Sequence, residues 1–175
     1  MEPLVAELIR SGWLKTPALI EAFRKVDRRE FVPDAMRPFA YENRALPIGW
    51  RQTISQPLTV AFMLEQLQPA MGERVIDIGY GSGWQTALLA HIVGPSGHVF
   101  AIERIGELAA WGRANVERAG FRSVSFFTQD GYAGVPDSAP FDRIIAAATL
   151  PDIPSPWKEQ VRLGGRIVAP VGESI

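Results

Sequence analysis

The sequence predicts an α/β protein whose mostly parallel sheet is doubly wound, with helices on both faces. Short apolar runs alternate with helical patterns from about residue 57 to the end of the chain, as repeated strand-helix-strand units do. The runs are continuous, without polar alternation, as strands covered on both faces require. The first of them, Val75-Ile76-Asp77-Ile78, breaks into Gly79-Tyr80-Gly81-Ser82-Gly83, and Glu103 closes the next. At 175 residues the chain suits one domain, able to bury roughly 70% of its unfolded surface without metal or disulfide staples.

Taken in order, Leu4, Val5, Leu8 and Ile9 recur at helical spacing from Pro3 to Arg10, and the pattern ends near Gly12. Thr16-Pro17 is a cap followed by a first-turn proline, which starts a second short helix through Val26. These two form an N-terminal helical extension. Phe31-Val32-Pro33 opens a proline-punctuated, irregular stretch that runs to Ile54. Long loops of this kind are uncommon unless they bind something, so residues 31–54 are read as a functional segment.

Pro57 to Gln68 carries Val60, Met63, Leu64 and Leu67 on one helical face, with Ser55 or Gln56 near its cap. A strand over 74–78, a helix over 84–93 and a turn at Gly94-Pro95-Ser96-Gly97 follow. The next strand covers His98 to Glu103. A helix from Ile105 to Ala119 is closed by Gly120, and a third strand spans Val124 to Thr128. The apolar run Phe141 to Ala148 leads through prolines to a short helix around Trp157 to Val161 and a strand at Arg166 to Ala169.

Composition narrows the function. The chain has no cysteine, which excludes disulfides, thiolate metal sites and a cysteine nucleophile and suits a reducing, cytoplasmic setting. His91 and His98 are isolated and expected at the surface, a poor basis for a metal site. A net charge of −1 supplies no global drive toward nucleic acid or an anionic membrane. The basic cluster Arg24-Lys25-Val26-Asp27-Arg28-Arg29 is diluted by Asp27 and Glu30 and reads as a solvated helix end. No apolar run approaches the length of a membrane span, and the N-terminus lacks the pattern of a signal peptide.

Ligands of such sheets bind outside the carboxyl ends of the strands. Gly79 to Gly83, Glu103, Asp130 and the turn after Ala148 all fall there. An acid about 20 residues after a glycine turn is placed to hydrogen-bond the hydroxyls of a ribose. The spacing is GxGxG. A dinucleotide GxGxxG would need glycine at Trp84 or at Thr86, and neither supplies it.

With an acid two residues before the first glycine, this loop resembles the S-adenosylmethionine loop of Rossmann-like methyltransferases. A more specific resemblance lies upstream, in Tyr41-Glu42-Asn43-Arg44-Ala45-Leu46-Pro47-Ile48-Gly49 and Gln52-Thr53-Ile54-Ser55-Gln56-Pro57. With Phe31-Val32-Pro33, Ala139 to Ile145, Ile153-Pro154 and Gly164 to Gly172, these segments resemble the protein-L-isoaspartate O-methyltransferase family. The resemblance implies S-adenosyl-L-methionine as cofactor, S-adenosyl-L-homocysteine as product, and isoaspartyl peptides or proteins as partners. It further implies methylation of the free isoaspartyl carboxylate and closure of the ester to a succinimide. Residues 1–56 would face the substrate and residues 57–175 would form the cofactor core of a single domain.

By the same resemblance, Asp77, Gly79, Gly81 and Gly83 hold the methionine portion of the cofactor, and Glu103 takes the ribose hydroxyls. Asp130 and Gly131 meet the adenine amino group, although a plain turn competes as an explanation. Thr53, Ile54 and Ser55 border the cofactor, and Ser55, joined by backbone N–H groups at a helix N-terminus, grips the acceptor carboxylate. Spacing alone would make Ser55 an ordinary helix cap; the Thr53-Ile54-Ser55 match favours the site role. Three positions depart from the family pattern, Tyr80, Arg51 and Gln129, where the side chain can turn to solvent.

The family continues past Pro170-Val171-Gly172 with a further pair of strands, whereas this chain stops at Ile175. A truncated piece is expected, or a short relative whose open sheet edge is covered by a partner. Two alternatives stand beside the main reading: a catalytically impaired or partner-dependent cofactor-binding protein, and a carboxyl methyltransferase acting on another peptide.

Overall fold

The computed structural model describes residues 1–172. Glu173-Ser174-Ile175, the end to which the expectation of a truncated piece refers, lie outside the described residues. Five strands, β3 (Arg74–Ile78), β4 (His98–Glu103), β5 (Val124–Thr128), β6 (Phe141–Ala146) and β7 (Val161–Val168), form a parallel sheet ordered β5-β4-β3-β6-β7. Central β3 sets Asp77 opposite Ala101 on one side and Ile145 on the other. Its residues from Val75 onward are buried, which is why it reads as one apolar run. The chain leaves β3 toward β4 and later returns to β6 on its far side, so a crevice opens at the carboxyl ends where the direction reverses.

Helices cover both faces. α1 (Glu2–Arg10), α2 (Pro17–Lys25), α3 (Pro57–Leu67), α4 (Trp84–Val93) and α5 (Gly106–Arg118) supply most of one continuous core, which meets the sheet at Val75, Val99 and Ile145. The opposite face, Ile76, Ile78, Phe100, Ile102 and Ile144, packs on Trp157 of α6 (Ser155–Gln160). Each fully buried leucine or phenylalanine, such as Leu64 or Phe23, contributes about 1.5–3 kcal/mol of burial. The N-terminal extension is tied to α3 by Glu65, which accepts from Lys15 N, Thr16 N and Thr16 Oγ1 at 2.6–2.8 Å. Thr16 holds the cap position of α2, but its hydroxyl serves this tie and caps nothing. No helix among the described residues is long and apolar enough to cross a membrane.

The stretch read as irregular is more ordered than expected. Two 3-10 turns, Arg28–Phe31 and Asp34–Phe39, precede an antiparallel hairpin of β1 (Leu46–Gly49) and β2 (Gln52–Ile54). Its only strand signal was the alternation of buried Leu46 and Ile48 with exposed Pro47 and Gly49. The turn lacks the usual Asn-Gly pair; Trp50 and Arg51 themselves take positive φ, 48° and 58°, where L residues are disfavoured. β7 also starts earlier than predicted. Val161 pairs with Phe141, the ladder breaks, and pairing resumes at Arg166 opposite Arg143. A Cβ on Gly165 would lie 2.5 Å from Val161 Cγ2 and 2.7 Å from the Asp142 carbonyl oxygen, so only glycine lets the chain fold back there.

The basic cluster is not uniformly solvated. Arg28 is fully buried, with its guanidinium 5.3 Å from the Trp84 ring. Nor are the histidines wholly at the surface: both are part-buried, His91 against Phe121 and His98 bonded to Ser125.

The start of α4 and the middle of α5 meet backbone to backbone. A Cβ on Gly83 would sit 2.7 Å from the Gly112 carbonyl oxygen, and one on Gly112 would collide with the Gly81 carbonyl oxygen and lie 2.9 Å from Tyr80 Cε2. Gly112→Ala is therefore expected to destabilise by about 1–3 kcal/mol through overpacking, despite alanine's better helix propensity. Urea unfolding checks it, and an unchanged or raised midpoint would contradict the packing.

Candidate active site

A cavity of about 610 Å³ opens at the carboxyl ends of the strands, within the usual range for a small-molecule site. Its sheet-side wall is built from Ile78 to Ser82 after β3, Glu103 to Ile105 after β4, Gln129 to Tyr132 after β5 and Ala146 to Leu150 after β6. Facing these loops are Gln52, Thr53, Ile54 and Ser55 of the hairpin. Segments far apart in sequence thus share one space.

The three glycines divide their work. Gly79 and Gly81 take positive φ, 78° and 50°, and an added Cβ at Gly79 would meet nothing within 4 Å. Backbone lies bare toward the cavity at that point, as a closely approaching ligand requires. Gly83 is different: it is absent from the cavity wall and packs on Gly112 and Val116. The structure thus gives Gly83 a packing role beside the cavity wall.

Asp77 is also set back from the cavity wall. Its carboxylate lies wholly buried beneath the loop and does not line the cavity. One oxygen accepts from Gln85 Nε2 at 2.8 Å and the other from Thr86 Oγ1 at 2.6 Å, which anchors the first turn of α4. Burial pushes its carboxyl up to about 6, against the opposing pull of these two bonds and with help from the charge of Glu103. Glu103 does reach the cavity. Its two oxygens accept from Gly81 N at 3.1 Å and Ile105 N at 3.0 Å, bridging the loops after β3 and β4. An acceptor-only carboxylate held at this place fits a pair of ribose hydroxyls.

Tyr80 does not turn to solvent. It is 4% exposed, donates to the Ala109 carbonyl oxygen at 2.7 Å and packs edge-on against Phe126 at 5.5 Å. Burial pushes its phenol up, so it remains a donor. Arg51 and Gln129 are exposed.

After β5, Asp130 lines the cavity but turns an oxygen to its own loop, accepting from Tyr132 N at 2.8 Å. Gly131 presses on Ile78, and its carbonyl oxygen accepts from Trp157 Nε1 at 2.9 Å. Trp157 and the Ala147 to Leu150 loop belong to the wall as well. Strand-end placement pointed to the loop; nothing in the sequence pointed to Trp157.

The wall expected to face the acceptor rests on the hairpin. Ser55 is half-buried and does not cap α3; Gln56 holds that position, and no side chain caps the helix. The leading donors of that helix are not available as expected. Pro57 has no N–H, and Leu58 N donates to Asn43 Oδ1 at 3.0 Å. Asn43 also accepts Gln56 Nε2 on its carbonyl oxygen at 2.9 Å. Beneath Ser55 lies the residue the sequence reading missed: Arg28 Nη2 donates to the Ser55 carbonyl oxygen at 3.0 Å. At the hairpin tip Trp50 Nε1 donates to Glu107 Oε2 at 2.7 Å, fastening the tip to α5.

A family model described as protein-L-isoaspartate(D-aspartate) O-methyltransferase matches residues 1–175. A protein-L-isoaspartate O-methyltransferase of Methanothrix thermoacetophila is 51% identical over 154 residues, covering 88% of this chain and 73% of its own length. One from Aeropyrum pernix is 48% identical over 170 residues, covering 97% of this chain and 65% of its own. A solved protein-L-isoaspartate O-methyltransferase superposes with a TM-score of 0.89 at 31% identity, over 97% of this chain and 55% of that one. The chain thus spans between about half and three quarters of these relatives. A putative family member from Plasmodium falciparum, solved with S-adenosyl-L-homocysteine, shares the fold at a TM-score of 0.87 and 22% identity, over 98% of this chain and 84% of that one.

The buried Asp77 carboxyl gives a pH signature. Its folded value, about 6 against an ordinary 3.8, means that it favours the folded state fully below pH 4 and loses that contribution as pH rises through 6. Asp77→Asn should therefore gain about 3 kcal/mol relative to the unsubstituted protein between pH 4 and pH 7. Denaturant unfolding across that window checks it; a stability difference that stays constant with pH would show that Asp77 is not the titrating group.

Proposed function

The chain belongs to the protein-L-isoaspartate(D-aspartate) O-methyltransferase family, and from that premise we propose that it methylates the free carboxylate of L-isoaspartyl residues in damaged proteins or peptides. S-adenosyl-L-methionine is the methyl donor in this reading, and the ester product would close to a succinimide. The observation that carries it is the placement of the Thr53 to Ser55 segment across one cavity from Gly79, Gly81 and Glu103. A methyl donor and a peptide acceptor need such opposed walls.

The residues fit the cofactor in three respects. Glu103 offers acceptor oxygens suited to ribose hydroxyls, the turn at Gly79 leaves backbone open to a close-lying ligand, and Gln129 to Gly131 border the far end. When bound, the cofactor supplies an electrophilic methyl group on a sulfonium sulfur. An acceptor carboxylate has an ordinary pKa near 4 and is already ionised at neutral pH, so no general base is required. What remains for the protein is to orient that carboxylate. Ser55 suits the task because its hydroxyl is not spent on capping α3. The anion site is narrower than helix N-terminal donors would make it, since Asn43 already engages Leu58 N.

Radiolabel transfer from S-adenosyl-L-methionine to an isoaspartyl peptide, beside its aspartyl twin, tests the proposal. Transfer to the isoaspartyl peptide alone is expected. Label on both would point to a less selective carboxyl methyltransferase, and label on neither despite cofactor binding to a cofactor-binding protein without this activity. Ser55→Ala should slow transfer while cofactor affinity holds; loss of cofactor binding alone would contradict its role. Glu103→Ala should weaken S-adenosyl-L-homocysteine binding by about 1.5–3 kcal/mol in calorimetry, the range for a charged hydrogen bond, and unchanged affinity would remove Glu103 from the site.

A further inference from the structure

Arg28 is the buried charged group for which the proposed reaction has so far found no use. Its side chain is fully buried, yet no carboxylate is among its partners within the described residues. Nη1 donates to the Ala40 carbonyl oxygen at 2.7 Å, and Nη2 to those of Arg44 and Ser55 at 3.1 and 3.0 Å. Nε has no partner. The neighbouring acid, Asp27, is turned away, accepting from Tyr41 Oη and Arg29 N. Burial, with Arg44 nearby, pulls the guanidinium down to about 10, which leaves it charged at neutral pH.

A fully buried cation answered only by carbonyl dipoles and the Trp84 ring is costly, because buried charges are ordinarily paired. Three carbonyl bonds explain how it joins residues 40, 44 and 55. They do not supply a full negative charge. Of the three acceptors only Ser55 lines the cavity, so this is the direction in which a counter-charge can arrive.

We infer that Arg28 is a positioning residue for the acceptor: it fixes Ser55 through its carbonyl oxygen, and its uncompensated charge is answered by the acceptor carboxylate when that group seats at the Ser55 hydroxyl. This inference rests on the proposed methyl transfer to a carboxylate. Arg28 does not touch the acceptor. Its field acts across the one residue between them, in a half-buried setting where a unit charge a few ångströms further off is worth roughly tenfold in affinity. A neutral acceptor would gain nothing from it.

The test compares an isoaspartyl peptide with a twin whose free carboxylate is replaced by an amide, both bound in the presence of S-adenosyl-L-homocysteine. The unsubstituted protein should prefer the acid twin. Arg28→Met should weaken the acid twin about tenfold more than the amide twin, with the loss concentrated in KM for the acid and S-adenosyl-L-homocysteine affinity held. Arg28→Lys should keep most of the preference, since it keeps the charge. Equal weakening of both twins would reduce Arg28 to a structural pin, and loss of S-adenosyl-L-homocysteine binding would move the counter-charge to the cofactor; either overturns the inference. Equal binding of the twins by the unsubstituted protein also overturns it, a measurement that stands even if Arg28→Met fails to fold. Failure of the underlying reaction appears separately, as no methyl transfer from the unsubstituted protein to the isoaspartyl peptide.

Discussion

The contact of two backbones, the glycine loop after β3 against the middle of α5, sets the geometry on which the cavity depends. With no side chain at Gly83 or Gly112, the loop lies directly on the helix. Specific bonds then lock it: Tyr80 Oη to the Ala109 carbonyl oxygen at one end, and Asn115 Nδ2 to that of Ser82 at 3.0 Å at the other. Glu103 completes the frame by accepting Gly81 N and Ile105 N. Because α5 begins beside the loop after β4, one packing contact fixes two walls at once. Tyr80, one of the departures from the family pattern, thus reinforces this contact.

The sheet was legible because its physics is local. Continuous apolar runs between helical patterns located β3, β4 and β5 at their observed bounds, and strand-end placement located Glu103 and the Gln129 to Tyr132 loop. The roles of Asp77 and Gly83 came from resemblance, since spacing shows that a loop is tight without showing which way each residue faces. In the fold, Asp77 spends both oxygens on α4 and Gly83 meets α5. Direction is set by partners eight to 33 residues away.

The first third of the chain was less legible for a related reason. Its order comes from tertiary bonds, not from periodicity. Asn43 satisfies the first turn of α3 across 15 residues, Glu65 secures the entry to α2 across about 50, and Arg28 gathers carbonyl groups from three separate segments. The hairpin turn uses Trp50 and Arg51 in a conformation that neither favours. Its tip is held from outside by Glu107. Among these residues the family resemblance drew attention to Asn43, while Arg28 and Glu65 lay outside the segments that carried it.

The hairpin that faces the strand ends has a consequence for how such a protein can change. All the walls built by the sheet come from loops whose positions are coupled through the core, so altering one disturbs the others. The opposite wall is a single short excursion of the chain, residues 46–55. Selection for a different acceptor would have one compact segment on which to act, while the nucleotide-shaped side stayed as it is. Under the proposed reaction, acceptor choice could then drift while the sheet and its loops were inherited unchanged.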